Sequence, residues 1–222
     1  AIAPGYLQKE WIEGDRKYFH YKMDSKILNF YAFISARYEV KKELWKGISL
    51  EIYYHKPHDF NLNRMFKGMK ASLAYNAKNF SPYTHKQLRI IEFPRTAGTF
   101  AQSFANTIPF SEGFGFIADV DDKNEDGVDY PFAVTVHEVA HQWWAHQVIG
   151  ADVLGATMLS ESLSEYVSLK VLEQQHGKPK MRAFLKKSLD GYLMQRTLET
   201  KRENPLMYND GQGYIHYEKG SL

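Results

Sequence analysis

The sequence predicts an α+β fold, with strands gathered early in the chain and helices late. Three observations carry that expectation. Segments rich in aromatic and β-branched residues fill much of the first half. A single stretch with a 3.6-residue apolar period, residues 61–80, interrupts them. Beyond residue 129 the chain turns to long helix-forming runs closed by helix-ending signals.

In order, ILNFYAFISARYEV (27–40) and KGISLEIYYH (46–55) read as strands from their aromatic and β-branched content and partial alternation. In NLNRMFKGMKASLAYNAKNF (61–80), Leu62, Met65, Phe66, Met69, Leu73 and Phe80 fall near the helical period and predict an amphipathic helix. QLRIIEFP (87–94) returns to strand, and SEGFGFIADV (111–120) predicts another at a sheet edge. An acidic turn, 119–129, follows. Asp129 can cap the next helix, Pro131 suits its first turn, and the apolar run carries that helix to about Val148. A second helix is expected from about Ser160 to Gln175, closed by Gly177 and Pro179, and a third over 179–197. No internal repeat or low-complexity linker appears.

Composition bounds the function. A chain of 222 residues that is 44% hydrophobic can bury the core of one or two domains. Twenty-eight basic against 26 acidic residues, with no dense Lys/Arg cluster, argue against a nucleic-acid partner. Without cysteine there is neither a disulfide framework nor a thiolate-ligated metal. No apolar run approaches the roughly 18–20 residues of a membrane span. The opening AIAPGYLQKE lacks a signal-peptide pattern, and with YIHYEKGSL at the other end the chain reads as a fragment of a longer protein.

The chemistry concentrates in HEVAHQWWAHQV (137–148). On a helix, His137 and His141 lie on one face, about 6 Å apart along the axis, and can direct both imidazoles at one ion. Glu138 stands about 100° around the helix. There it can reach a water on the open side of that ion, the place of a general base. With nine histidines in the chain, H-E-x-x-H is expected by chance only about 0.02 times. The face is otherwise apolar, so an unliganded pair of imidazoles there would be poorly served. A catalytic zinc needs a third protein ligand. LSESLSEY (159–166) offers Glu161 in the first turn of the next helix, and Glu165 one turn on could hydrogen-bond the far nitrogen of a ligating imidazole. For Glu165 a solvated helix charge is an equal alternative. DKNEDG (122–127) begins like a calcium loop, but position twelve is Ala133 where a bidentate glutamate is required, so calcium is not expected.

HEVAHQWWAHQV, then LSESLSEY, then YIHYEKG together resemble the aminopeptidase N family of gluzincin zinc metallopeptidases, which includes the leukotriene epoxide hydrolase. The resemblance implies a thermolysin-like (gluzincin) α+β domain, a mixed sheet followed by helices, over residues 36–222, with residues 1–35 the remnant of a preceding β domain. It implies one Zn²⁺ per chain on His137, His141 and Glu161, with Glu138 activating water, Tyr217 stabilising the oxyanion, and a peptide as substrate. IPFSEGFGFI (108–117) stands where the family has its Gly-x-Met-Glu-Asn strand, which would make Glu112 the anchor of the substrate's α-amine. FYAFISARYEV resembles the strand that ends the family's β domain. Similarity to bacterial members joined to a multi-pass membrane segment implies a membrane-anchored parent.

The departures bear on specificity. The spacing from His141 to Glu161 is one residue longer than usual in this family and equals that of thermolysin-type members. PFSEG keeps only the glutamate of the exopeptidase strand, and Trp-Trp-Ala replaces Trp-x-Gly after the motif. Two classes follow: a zinc peptidase, as an aminopeptidase or a thermolysin-like endopeptidase, and a peptide-binding or scaffolding module that keeps the fold without turnover. Metal content and a panel of free and blocked peptides discriminate them.

Overall fold

In the computed structural model, residues 1–124, 127–209 and 212–222 are described. They form two compact units, one of residues 1–66 and 84–118, the other of residues 67–83 and 119–222.

Among the described residues, the strands all lie in the first unit. β1 (Tyr6–Glu13) and β2 (Arg16–Lys22) make an antiparallel hairpin turned at Gly14, whose φ of 65° suits glycine. β3 (Glu39–Trp45), β4 (Ile48–Tyr54), β5 (Gln87–Phe93) and β6 (Thr107–Ser111) form a sheet in that order. β3 runs antiparallel to β4, whereas β4, β5 and β6 are parallel, so the sheet is mixed as expected. Ile52, Ile90 and Ile108 are in register across the three parallel strands and fully buried, an apolar row that fixes the pairing. Arg89, buried on β5, donates from Nη2 to the carbonyls of Ala3 and Gly5 and to Thr107 Oγ1, fastening the chain's first residues to the sheet.

Two strand expectations are corrected. Of 27–40, Ile34 makes only an isolated bridge to Ile2, and pairing begins at Glu39; Phe33 is 76% exposed, so aromatic content there does not mark a buried strand. The last strand is 107–111 rather than 111–120. It carries Pro109, whose missing N–H lies on the side away from β5, where its carbonyl accepts from the Gln102 N–H at 3.0 Å, so the pairing with β5 is kept.

α1 (Leu62–Asn79) is the amphipathic helix expected, with Leu62, Met65, Phe66, Met69 and Leu73 buried. The second unit is otherwise built on α2 (Tyr130–Ala140) and α3 (Leu163–Leu198). Asp129 accepts from the Phe132 N–H at 3.0 Å and Pro131 lies in the first turn, as anticipated. Phe132, Val136 and Ala140 recur every four residues on α2 and pack against Val167, Val171 and Leu172 of α3. Ser168 Oγ donates to the Ala133 carbonyl and Ser72 Oγ to the Val136 carbonyl, tying α3 and α1 to α2. α3 is one element broken at Gly177, whose φ of 83° interrupts the helix two residues before Pro179. The two helices expected on either side of that point are thus both present. α2 ends at Ala140, eight residues short of the expected Val148, because the chain closes into a tight turn after His141. Among the described residues no helix is long and apolar enough to cross a membrane.

Candidate metal centre

His137 is the eighth residue of α2, and His141 caps that helix with its backbone still helical. Their rings stand edge to face with centroids 4.6 Å apart, and the two Nε2 atoms are 3.0 Å apart. Glu161 reaches them from Met158–Ser162, a π-helical turn that precedes α3, rather than from an ordinary first helical turn. Such turns widen the backbone locally and often serve functional sites. Glu161 Oε2 lies 3.2 Å from His137 Nε2 and 3.4 Å from His141 Nε2. A tetrahedral zinc with bonds of about 2.0–2.1 Å holds its ligand atoms roughly 3.3 Å apart, so the three donors fit that ion. Two imidazole nitrogens and one carboxylate are also the donor set of a catalytic zinc, which keeps its fourth corner for water or substrate.

The far nitrogens are engaged as well. Glu165 Oε2 accepts from His137 Nδ1 at 2.6 Å. His141 Nδ1 lies 3.0 Å from the Trp144 carbonyl and 3.0 Å from Ser164 Oγ. With Nδ1 directed outward in each ring, both Nε2 atoms face Glu161. Burial alone would lower the His137 pKa, but the charge of Glu165 and hydrogen bonds with Glu161 and Glu165 raise it well above the usual value. Burial works against the charge of Glu161, yet its hydrogen bonds with His137 and His141 depress the pKa strongly. Glu138 is buried beside both rings, and burial raises its pKa, which suits a group that accepts and returns a proton.

Tyr217 follows α4 (Gly213–His216), a short helix anchored by the buried Tyr214 and Ile215. Its ring centroid is 6.3 Å from that of His137. Burial, then the negative charge and a hydrogen bond of Glu161, raise the phenol's pKa, so it is a proton donor at neutral pH. The turn Lys219–Ser221 comes next and lies against the π-helical turn. A Cβ on Gly220 would come within 2.3 Å of Ser162 Oγ, so only glycine permits that approach. Lys219 pairs with Glu203, which also accepts from the Tyr192 hydroxyl at 2.6 Å and bridges to Arg196. Lys219 is therefore the tether of the Tyr217 segment.

Glu112 belongs to the first unit, just past β6. Its Oε1 accepts from the Arg95 N–H at 3.1 Å, and its Oε2 lies 3.8 Å from His58 Nδ1, a nitrogen held by the fully buried Glu92. His58, Glu92 and Glu112 are a separate cluster of potential ligands in that unit. The stretch 122–127 weighed for calcium includes Glu125 and Asp126, which lie outside the described residues. Sequence reasoning missed Ser164, Glu203 and the Trp144 carbonyl. A serine three positions after Glu161 was a usable signal for the first, and nothing in the sequence marks a backbone carbonyl.

No family model and no curated protein matches the sequence. Solved structures do. The M1 zinc metallopeptidase from Deinococcus radiodurans matches the whole chain at 16% identity with a TM-score of 0.68, over 47% of its own length. A point mutant of that enzyme matches at 15% identity and 0.69, over 48%, and the mutant bound to a Tyr-Ser-Ala substrate at 15% and 0.68, over 47%. The chain thus spans about half the length of the structures it matches. At this identity the likeness is one of architecture: the chain has the α+β fold of the M1 zinc metallopeptidases.

Proposed function

We propose that this chain is the catalytic part of a zinc-dependent metallopeptidase that hydrolyses peptide bonds, and that it acts as an aminopeptidase. The observation that carries the reading is the convergence of His137, His141 and Glu161, with donor atoms 3.0–3.4 Å apart, beside a buried carboxylate and a protonated phenol. When bound on those three side chains, zinc supplies Lewis acidity that brings the pKa of a bound water towards about 7. Glu138 takes a proton from the attacking water and later delivers it to the departing amine. The Tyr217 hydroxyl donates a hydrogen bond to the carbonyl oxygen as it gains charge. Glu165 holds His137 in the tautomer that leaves Nε2 free.

A structure of the same fold holds a tripeptide substrate, which supports a peptide as the ligand class here. The aminopeptidase assignment rests on Glu112 as the group that binds the substrate's free amine. One zinc per chain, a peptidase domain over 36–222 after the end of a β domain at 1–35, and a membrane-associated bacterial parent complete the reading.

A panel of fluorogenic peptides with free and blocked N-termini tests it, using wild type and Glu138→Gln. Cleavage of free but not blocked peptides by wild type, lost in a Glu138→Gln variant that keeps its zinc, is expected. Equal cleavage of blocked peptides overturns the exopeptidase assignment, and turnover retained in Glu138→Gln overturns the general base.

A further inference from the structure

α2 stops one residue before the second histidine, although QWWAHQV (142–148) contains neither glycine nor proline. The chain closes there instead. The Trp143 carbonyl accepts from the N–H groups of Ala145, Gln147 and Val148 at 3.2, 3.0 and 2.8 Å. Ala145 is held at φ 148°, a conformation that residues with a Cβ rarely adopt. Strain of this kind persists where surrounding structure enforces it, and the immediate result is visible at Trp144. In a continuing helix its carbonyl would point along the axis to the amide of residue 148. Here it meets the ring of His141 at Nδ1, 3.0 Å away, and the Val148 amide goes to Trp143. Fully buried Ser164, on the first turn of α3, brings Oγ to 3.0 Å from the same nitrogen.

A carbonyl has no proton to give, so Nδ1 of His141 carries one and donates it. That leaves the Nε2 lone pair, 3.4 Å from Glu161 Oε2, for a metal. The two histidines are therefore backed differently: His137 by a carboxylate, His141 by two neutral oxygens, one of which exists because the helix breaks.

We propose that the Trp144 carbonyl and the Ser164 hydroxyl jointly position His141 for the metal, so that the break in α2 is part of the metal site. Ser164 is a positioning residue that acts through His141, and the inference rests on the zinc reading above. Ser168 provides the control. It is a buried serine one turn along α3 whose hydroxyl donates to the Ala133 carbonyl and touches no ligand.

The test uses the full chain as wild type, Ser164→Ala and Ser168→Ala. Zinc affinity is measured by competition with a chelator, the visible spectrum with Co²⁺ in place of zinc, and the melting temperature without metal. Ser164→Ala is expected to weaken zinc by about ten- to a hundredfold and to shift the cobalt bands, while melting like Ser168→Ala. Ser168→Ala is expected to match wild type in affinity and spectrum. The proposal is overturned by a Ser164→Ala variant whose affinity and cobalt spectrum match wild type, or by equal losses of affinity in both variants. A wild-type chain that takes up no metal overturns the zinc reading along with it.

Discussion

Glu165 offers the sharpest quantitative handle on the site. Its Oε2 accepts from His137 Nδ1 at 2.6 Å, and its side chain is only 14% exposed, so solvent replaces little of what a substitution removes. A hydrogen bond to a charged group contributes about 1.5–3 kcal/mol. At about 1.4 kcal/mol per factor of ten, that is roughly 10- to 100-fold in zinc affinity. Glu165→Gln keeps an acceptor oxygen but loses the charge, and should fall at the lower end. Glu165→Ala loses both, and should fall at the upper end. Affinity is read by competition with a chelator of known strength, and the melting temperature of metal-free protein shows whether the fold is disturbed. If Glu165→Ala binds zinc as tightly as wild type, the carboxylate is not orienting His137 and the argument from its geometry fails.

Other consequences are as direct. Gly220→Ala forces a Cβ towards Ser162 Oγ; the short turn should yield, moving Tyr217 and cutting kcat by up to about a hundredfold while zinc content holds. Steady-state kinetics beside metal analysis reads that split. Phe132, 1% exposed at the α2–α3 interface, should cost about 3–5 kcal/mol as Phe132→Ala, seen as a lower denaturant midpoint. Glu51 is opposed by burial, but hydrogen bonds from Tyr53 and Lys42 prevail and lower its pKa. A depressed carboxylate stabilises the fold at neutral pH, and that contribution is lost as pH falls from the unfolded value of about 4.3 through the folded one. Glu51→Gln should therefore lose less stability than wild type between neutral and acid pH, measured by denaturant melts across that range.

The parts of the fold that follow a period were legible. The row of Met65, Met69 and Leu73 belongs to α1, which lies where the spacing placed it, and the Asp129 cap and Pro131 marked where α2 begins. The convergence of His137 and His141 was legible for the same reason: i,i+4 spacing converts two letters of sequence into one direction in space. What escaped depended on backbone events without a residue signature. Ala145 at φ 148° is not a glycine, so nothing announces that α2 ends at Ala140 and that a carbonyl turns back on His141. The π-helical turn carrying Glu161 is similarly silent, since its residues would suit an α-helix. In 27–40 composition misled, because the aromatic residues there pack through their rings without backbone pairing, as Tyr31 does on Phe33 with centroids 5.8 Å apart and Phe30 on Phe104 at 4.8 Å. The β1–β2 hairpin went unread although Gly14–Asp15 between polar and aromatic runs is a turn signal.

All of the chemistry proposed here requires one ion to sit among His137, His141 and Glu161. Metal analysis of purified wild-type chain beside Glu161→Ala measures that most directly. One equivalent of zinc in the wild type, and its loss in a Glu161→Ala protein that still folds, is the predicted result. Wild-type chain without bound metal, or an alanine variant that retains zinc at wild-type affinity, would contradict it.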